Sequence, residues 1–315
     1  MPNHSTVAPS HRSVANNMSF GKKYAGLIFG FIGIASFSFS LPMTKIALLG
    51  FPPVFLGAGR AAVAAVIAAV VLAVTRSALP RGMQWVRLGV VALGVVVGFP
   101  FFTSFALEHA PASHGAVVIG LLPAATAVAA VIRGKERPSK TFWVASILGA
   151  IAVVVFSGLT SGAGFSLELG DVFFLAAVVM AAIGYAEGGM LSREIGSWQT
   201  ISWALIVALP VMLPMAITSV SGLEWASVPA LAWIGFAYIA VISMYLGFFA
   251  WYRGLAIGPM ASVSQIQLLQ PLLTILWAAL FFGESVGFAE WVAAAAVIAC
   301  AAVAVRARVK TATKE

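Results

Sequence analysis

The sequence predicts an all-α integral membrane protein whose ten transmembrane helices form two inverted five-helix repeats. Three observations support this: an apolar composition, ten apolar runs long enough to span a membrane, and similarity between the halves at a fixed offset. Of the 315 residues, 61% are hydrophobic and 9% are charged, and the mean hydropathy is +1.02. A soluble domain is about half apolar and a quarter charged, so lipid must surround most of this chain.

The ten spans follow one another with short connections, which leaves no room for a separate soluble domain. A helix needs about 20 apolar residues to cross the hydrocarbon core of a bilayer. The runs are long and continuous, whereas membrane-spanning strands would alternate apolar and polar residues. The predicted spans cover residues 25–44, 54–75, 88–107, 112–132, 142–160, 171–191, 200–219, 229–251, 259–282 and 287–305.

The chain is expected to divide into two repeats between short cytosolic tails. Residues 1–23 are polar and lack the apolar core of a signal peptide. The first repeat is expected at residues 24–160 and the second at 161–308, with a tail at 309–315. The single cysteine, Cys300, excludes an internal disulfide, and no Cys/His cluster has the spacing of metal ligands. No metal or other cofactor is therefore expected.

Lysine and arginine residues predict the orientation of the spans. With the N-terminus in the cytosol, 16 of the 18 basic residues lie on the cytosolic side, while Lys45 lies at an outer end and Arg60 inside a span. The net charge of +8 therefore indicates topology and not a nucleic-acid partner. A multi-pass protein of the cell membrane, such as a bacterial inner membrane, is expected, with both termini cytosolic.

The two halves share residues at an offset of 148 positions. Each half holds five predicted spans, an odd number, so the second half enters the membrane from the opposite side. The aligned pairs are Lys45 and Arg193, Leu107 and Leu255, Pro111 and Pro259, Leu121 and Leu269, Pro123 and Pro271, Thr126 and Thr274, Glu136 and Glu284, and Trp143 and Trp291.

An inverted-topology repeat is an architecture that many secondary transporters use, with the binding site near the midplane between the repeats. Two similar halves have two packings of nearly equal free energy, one open to each side. Alternation between these packings moves a substrate without opening a continuous channel. The repeat therefore favours a transporter in a lipid bilayer.

Ordered motifs along the chain resemble the EamA family of the drug/metabolite transporter superfamily. They include FPPVFLGAGRAAVAA around Arg60 and a small-residue first span that ends in Lys45. The stretch GPMASVSQIQLLQPLLTILWAALFFGESVGFAEWVAAAAVI resembles the ninth and tenth spans of the family. The resemblance covers the chain from about Gly26 to Arg306. It implies export of small metabolites, and YddG-type exporters of amino acids, including aromatic ones, are the most natural model.

The ninth span carries glutamines inside an apolar run. A buried amide without a partner costs roughly 2–7 kcal/mol, so these side chains must meet protein, water or substrate. Helical spacing places Ser264, Gln267, Gln270 and Thr274 on one face. This face is expected to line a substrate cavity; the alternative is that its side chains hydrogen-bond neighbouring helices.

The prolines of the fourth and ninth spans are shared between the repeats, whereas the glutamines are not. Pro123 aligns with Pro271, but Gln267 and Gln270 align with apolar residues. Proline leaves a helix carbonyl without its N–H donor one turn earlier. The shared prolines therefore indicate a mechanical role, as in gating, or a packing role common to both halves, and the unshared amides indicate substrate specificity.

Three ionisable residues are further candidates. Glu187 lies inside the sixth span, where it is expected to bind a substrate ammonium or a proton, or else to extend into water near the cytosolic end. Arg60, in the second span, is expected either to extend outward or to satisfy carbonyls at a helix end, and the family resemblance implies a structural anchor. His114, near the outer start of the fourth span, is expected to gate or titrate, or else to bond at the rim. Glu136 and Glu284, at helix ends, are expected at the membrane interface.

Aromatic and small residues complete the predicted cavity. Tyr185 and Tyr245 lie deep enough in their spans to stack on an organic substrate, and a second set of cavity residues is Phe37, Ser38, Phe101 and Trp277. By contrast, Trp251, Tyr252 and Trp291 lie near span ends and are expected at the membrane interface. Glycines at four-residue spacing, such as Gly26 and Gly30, predict close helix contacts.

The expected function is secondary export of small amphipathic metabolites, most naturally amino acids, driven by the substrate gradient or by a coupled ion or proton. No nucleotide-binding loop or hydrolase motif is present in the sequence. An integral membrane enzyme acting on a lipid or lipid-linked substrate is the alternative, and a membrane scaffold or sensor is a third option. The enzyme would need clustered Asp, Glu or His near one interface.

Overall fold

The computed structural model describes residues 11–109, 118–161, 169–282, 288–307 and 309–311, and these residues are mostly helical. The α-helices in this part of the chain are α1 His11–Ser38, α2 Ser40–Ala47, α3 Pro53–Val74, α4 Met83–Val91, α5 Phe99–His109, α6 Leu122–Gly134, α7 Lys140–Ser161, α8 Leu169–Ile195, α9 Ser197–Ser219, α10 Ala230–Ala237, α11 Gly247–Ile257, α12 Met260–Ser264, α13 Leu269–Phe282 and α14 Phe288–Arg306. Two π-helical segments, Ala92–Gly98 and Tyr238–Leu246, and two 3₁₀ segments, Trp225–Ser227 and Gln265–Leu268, join some of them.

Helical residues lie in each of the ten predicted spans, although 110–117 at the start of the fourth fall outside the described part. Six helical stretches are both long and apolar enough to cross a membrane, and the full count of ten crossings stays a prediction. These six are Tyr24–Ala47, Pro53–Val74, Met83–Thr103, Val172–Ile195, Ser197–Ser219 and Ala230–Ile257, while Leu122–Gly134, Lys140–Ala152 and Ala295–Arg306 are shorter apolar helices.

Both predicted tails contain structure. α1 begins at His11, so residues 11–23 of the expected tail are helical, because extending a helix that the span has already nucleated costs little. Near the C-terminus, the strand β2 (Val309–Thr311) pairs antiparallel with β1 (Glu136–Pro138), the connection that follows α6. The second tail is therefore joined to the end of the fourth predicted span.

Helix packing repeats the two-half organisation. α3 packs along α9 and α7 along α14, and in both pairs the partners are equivalent spans of the two repeats. α1 of the first span packs along α11 of the eighth. The equivalent helices of the other repeat, α8 of the sixth span and α5 of the third, are also in contact. These four helix contacts are thus shared between the two halves, as two equivalent repeats predict.

The two π-helical segments occur at equivalent positions in the two repeats. Shifted by 148 positions, Ala92–Gly98 falls on residues 240–246, inside the second segment, Tyr238–Leu246. Such segments account for well under 1% of residues in proteins and are frequent at functional sites. Their placement at one offset in the third and eighth predicted spans indicates a feature common to both repeats.

Glycines allow α1 and α11 to approach closely, as their spacing predicts. A Cβ added to Gly254 would lie 2.7 Å from the backbone nitrogen of Gly30 and 2.8 Å from the carbonyl oxygen of Gly26. These are backbone atoms, which cannot rotate away as a side chain does. The contact therefore joins the first predicted span to the eighth through small residues alone.

Replacing Gly254 with alanine is expected to lower the free energy of unfolding by about 1–3 kcal/mol, because the added methyl group overpacks the contact between α1 and α11. The matched control is Gly89→Ala in α4, where an added Cβ meets nothing within 4 Å; the same change there is expected to leave stability unchanged or raise it by up to about 1 kcal/mol. Thermal unfolding in detergent measures both. Equal effects of the two variants would contradict the close-contact role of Gly254.

Candidate functional site

The predicted binding face of the ninth span lies on a helix that changes its winding. α12 and α13 are joined by a 3₁₀ turn at Gln265–Leu268, one turn before Pro271. Proline cannot donate to the carbonyl of Gln267, and a tighter turn in mid-helix often marks a hinge. Residues three apart superimpose along a 3₁₀ turn, so Ser264 and Gln267 remain on one side.

Ser264 and Gln265 contact the fourth span at its shared proline. The Nε2 of Gln265 donates to the carbonyl oxygen of Pro123 at 3.4 Å, and the Ser264 hydroxyl donates to the same oxygen at 3.5 Å and to that of Ala261 at 2.8 Å. The two bonds to Pro123 are long. They bring the two repeats together where one of the shared prolines lies.

Gln267 is the residue of this face whose buried amide lacks hydrogen bonds to the described residues. Its side chain is 3% exposed, and neither Oε1 nor Nε2 has a hydrogen-bond partner among the residues that the structure describes. Gln270 is half-buried in α13. Pro271 and Thr274 belong to the same helix, but their side chains lie outside the described part.

The fourth span adds a residue that the sequence did not single out. Thr126 is fully buried, and its hydroxyl has no partner within the described residues. It lies at the repeat offset from Thr274, which was predicted in the second half. The repeat itself was therefore the signal that pointed to Thr126.

Five aromatic residues from the first, sixth and eighth predicted spans form an aromatic cluster: Phe37, Tyr185, Phe248, Trp251 and Tyr252. Ring centroids are 5.0 Å apart for Phe37 and Phe248, and 5.3 Å apart for both Tyr185 with Trp251 and Phe248 with Tyr252. Phe37 and Tyr185, which were predicted from the sequence, are therefore brought together by the fold.

The expectation that Trp251 and Tyr252 lie at the membrane interface is wrong, because both are fully buried. The hydroxyl of Tyr252 donates to the carbonyl oxygen of Gly184 at 3.2 Å. The indole N–H of Trp251 has no acceptor in the described part of the chain. Trp251, like Gln267 and Thr126, is thus a buried donor without a partner among the described residues. The sequence did not reveal this, because Trp251 lies near the end of its predicted span.

Other predicted residues lie away from the aromatic cluster or already have partners. The indole N–H of Trp277 donates to Ser38 at 2.7 Å, and its ring stacks on Phe39 at 4.4 Å. Tyr245 shares a hydrogen bond of 2.8 Å with Ser202 of α9. The ring of Phe101 packs beside that of Phe105.

Arg60 lies in the first half of α3 and is half-buried, with a buried Nε that has no partner among the described residues. His114 and Glu284 fall outside the described residues, as does the side chain of Trp291. No group of three or more His, Cys, Asp or Glu residues in the described ranges could hold a metal ion.

Glu187 lies within a network of ion pairs. Its Oε1 accepts the Nε–H of Arg87, and its Oε2 accepts two N–H groups of Arg133, one of them at 2.9 Å. Arg87 also pairs with Glu194. Glu187 is 1% exposed, so it does not extend into water, and two guanidinium groups already compensate its charge.

Glu136 follows the end of α6, the helix-end position that the sequence predicts, and it is buried within the protein. Its two carboxylate oxygens accept the backbone N–H groups of Met260 and Ala261, each at 2.8 Å. These are unpaired donors of the first turn of α12, where a negative charge is stabilised by the helix dipole. Burial raises the pKa of Glu136, and the two donors and Arg193 only partly offset this rise.

Arg193 provides hydrogen-bond donors for the last carbonyl groups of α11. Its guanidinium group donates to the carbonyl oxygens of Ala256 at 3.0 Å and Leu255 at 3.3 Å. Because the last carbonyls of a helix have no intrahelical donors, a cation at this position satisfies them. Both ends of the connection between α11 and α12 are thus held by charged side chains.

Two helical halves that meet around buried amide, hydroxyl and aromatic groups are the architecture of a multi-pass membrane transporter. The chain matches the EamA-like transporter family twice, over residues 24–158 and 168–306. The protein therefore belongs to the EamA-like transporter family, with one family domain in each half.

The relatives agree with this family. The chain is 46% identical over 281 residues to the uncharacterized transporter YdeK of Bacillus subtilis (strain 168), covering 89% of this chain and 97% of YdeK. Protein PecM of Dickeya dadantii (strain 3937) is 25% identical over 254 residues, which are 76% of this chain and 80% of PecM. A solved structure described as "Crystal structure of protein" shares the fold, with a TM-score of 0.72 at 19% identity, over 90% of this chain and 99% of that one.

The contribution of Glu136 to stability is expected to depend on pH. Its pKa is raised above the ordinary 4.5, so the folded state binds the proton more tightly than the unfolded chain does. The stabilising contribution is then complete at acid pH and is lost as pH rises through the folded-state pKa.

Thermal unfolding of the wild type and Glu136→Gln between about pH 4 and about pH 7 tests this sign, because glutamine keeps an acceptor but does not titrate. The Tm difference, wild type minus variant, is expected to fall as pH rises. A difference that grows with pH would mean that the helix start lowers the pKa of Glu136 more than burial raises it.

Proposed function

We propose that this protein is a secondary transporter that exports small amphipathic metabolites, with amino acids, including aromatic ones, as the first candidates. Transport proceeds by alternating access through a central cavity between the two repeats. The main supporting observation is that the amide of Gln267 and the indole N–H of Trp251 are among the buried polar groups that have no partner in the described residues. Membership of the EamA-like transporter family supports transport as the activity.

Unpaired buried polar groups are costly, and a ligand relieves the cost. Leaving a buried donor or acceptor unsatisfied costs about 1–3 kcal/mol. Gln267 offers a donor and an acceptor, and Trp251 offers a donor beside the rings of Phe37 and Tyr185. A substrate with one polar end and one aromatic or aliphatic end has matching chemistry.

The binding groups of this proposed site are neutral. The carboxylate of Glu187 is paired with Arg87 and Arg133, so it is not available for a substrate ammonium in this conformation. Amide, hydroxyl and indole groups bind polar substrates through hydrogen bonds and leave net charge to be balanced elsewhere. A coupled ion or proton is therefore part of the proposal, with both termini in the cytosol.

Flux in proteoliposomes containing purified protein tests the proposal directly. A panel of amino acids and cationic drugs is offered with and without a pH gradient. Saturable movement of an amino acid supports the proposal, and a change in rate with the pH gradient identifies proton coupling. Movement of no panel member by a protein that retains its fold overturns the amino-acid assignment.

Replacing Gln267 with leucine is expected to reduce saturable flux by about tenfold or to change substrate preference, since the substrate loses up to two hydrogen bonds of about 0.5–1.5 kcal/mol each. The fold is expected to persist, because leucine removes a buried amide that has no partner in the described part of the protein. Gln84→Leu is the matched control, at the start of α4, where the amide oxygen accepts the N–H of Arg81. Normal transport by Gln267→Leu would make this face a helix contact instead of a binding site.

Trp251→Phe tests the indole N–H separately, because phenylalanine keeps an aromatic ring in the cluster. The apparent KM is expected to rise about two- to tenfold, as loss of one hydrogen bond predicts. Trp233→Phe is the control, on an exposed ring that packs against Phe51. An unchanged KM in Trp251→Phe would remove Trp251 from the binding site.

A further inference from the structure

The ion pairs around Glu187 join the two repeats at one end of the molecule. Arg87 lies in α4, just before the third predicted span, and Arg133 lies in the last turn of α6, just after the fourth. Both belong to the first repeat, whereas Glu187 lies in α8 of the second. We propose that Glu187, held by Arg87 and Arg133, is an ionic latch that closes the cytosolic side of the transport path. The proposal rests on the proposed function, because a latch has meaning only for a protein that opens.

The latch is complete in the sense that both oxygens of one carboxylate are occupied. Arg87 takes one oxygen of Glu187 and Arg133 takes the other. Paired guanidinium and carboxylate groups form the stronger class of hydrogen bonds. Three predicted spans are thus tied through a single side chain.

Burial makes this contact a switch with two states. Glu187 is 1% exposed, and a buried carboxylate without its partners is strongly unfavourable. Glu187 is either paired with the arginines or hydrated, because an intermediate conformation would leave its carboxylate buried, without water and without an ion-pair partner. Separation of the repeats at this end therefore has to admit water in one step.

A second bond between the repeats lies at the same end. Glu136, two residues after the end of α6, accepts the N–H groups of Met260 and Ala261 at the start of α12. The first of these residues belongs to the first repeat and the other two belong to the second. The end that carries most of the basic residues is thus closed by charged contacts of two kinds.

The residues that the repeat relates to the latch carry no charge. At the offset of 148, Glu187 corresponds to Phe39, and the two arginines correspond to Gly235 and Phe281. Phe39 stacks on Trp277 at 4.4 Å and lies beside Tyr238 at 5.9 Å. The repeat that gives the molecule two similar ends therefore places ion pairs at one of them and aromatic rings at the other.

This difference gives the latch a specific consequence. Aromatic contacts form and separate without leaving a buried charge unpaired. The latch, by contrast, stays closed until Glu187, Arg87 and Arg133 are all hydrated. The path is expected to rest closed on the cytosolic side, and removal of the Glu187 charge is expected to open that side selectively.

Alkylation of a single cysteine by a membrane-impermeant maleimide in inside-out vesicles tests the latch without any substrate. The natural Cys300 is replaced by alanine, and Ala130→Cys supplies a fully buried reporter thiol one turn inside Arg133 on α6. Glu187→Gln is expected to raise the alkylation rate of this reporter thiol about tenfold or more, because the buried pair is broken.

The control removes a different carboxylate that pairs with the same arginine, Arg87. Glu194 also binds Arg87 but is 45% exposed, so Glu194→Gln is expected to change the alkylation rate by less than about twofold. Glu187→Asp, which retains the charge, is expected to return the rate towards that of the parent. Equal rates in the parent and Glu187→Gln would overturn the latch.

A partner variant decides the outcome if Glu187→Gln does not fold. Arg133→Gln leaves Arg87 on Glu187 and removes a side chain that is 54% exposed, so folding is expected to persist. An intermediate increase in alkylation supports the latch, and the parental rate overturns it. Because no substrate is present, this result is independent of whether amino acids are transported, which the flux panel decides.

Discussion

Lipid offers no hydrogen bonds, so each polar group inside the bilayer must find its partner within the protein. The structure meets this constraint locally where it can. Thr103 and Thr200 donate to carbonyls four residues earlier in their own helices, and Arg193 donates to carbonyls at the end of α11. At the connection between α11 and α12, the charged side chains of Arg193 and Glu136 supply the missing partners.

Buried polar groups fall into two sets with different consequences. Glu136, Glu187 and Tyr245 have partners on other helices and hold the bundle in the observed packing. Gln267 and Trp251 have none within the described residues. The first set lies at the helix ends or between helices and stabilises one conformation, whereas the second set leaves a free-energy cost that a bound polar group would relieve.

Helix irregularities follow the repeat and lie near these groups. The π-helical segments occur at the same offset in the two halves, and the 3₁₀ turn of the ninth predicted span carries Gln265 and Gln267. Alternative windings change the direction of a helix without breaking it completely.

Composition and spacing along the chain were enough to predict the membrane class, the approximate spans, the repeat and the family resemblance. It also identified Gln267, Phe37 and Tyr185 as candidates. The folded structure was needed to show that Glu187 pairs with Arg87 and Arg133, that Glu136 binds the start of α12, and that Trp251 is buried. The reason is physical: lipid-facing and buried surfaces of a membrane helix are both apolar, so hydropathy does not indicate which face turns inward or which distant residue it meets.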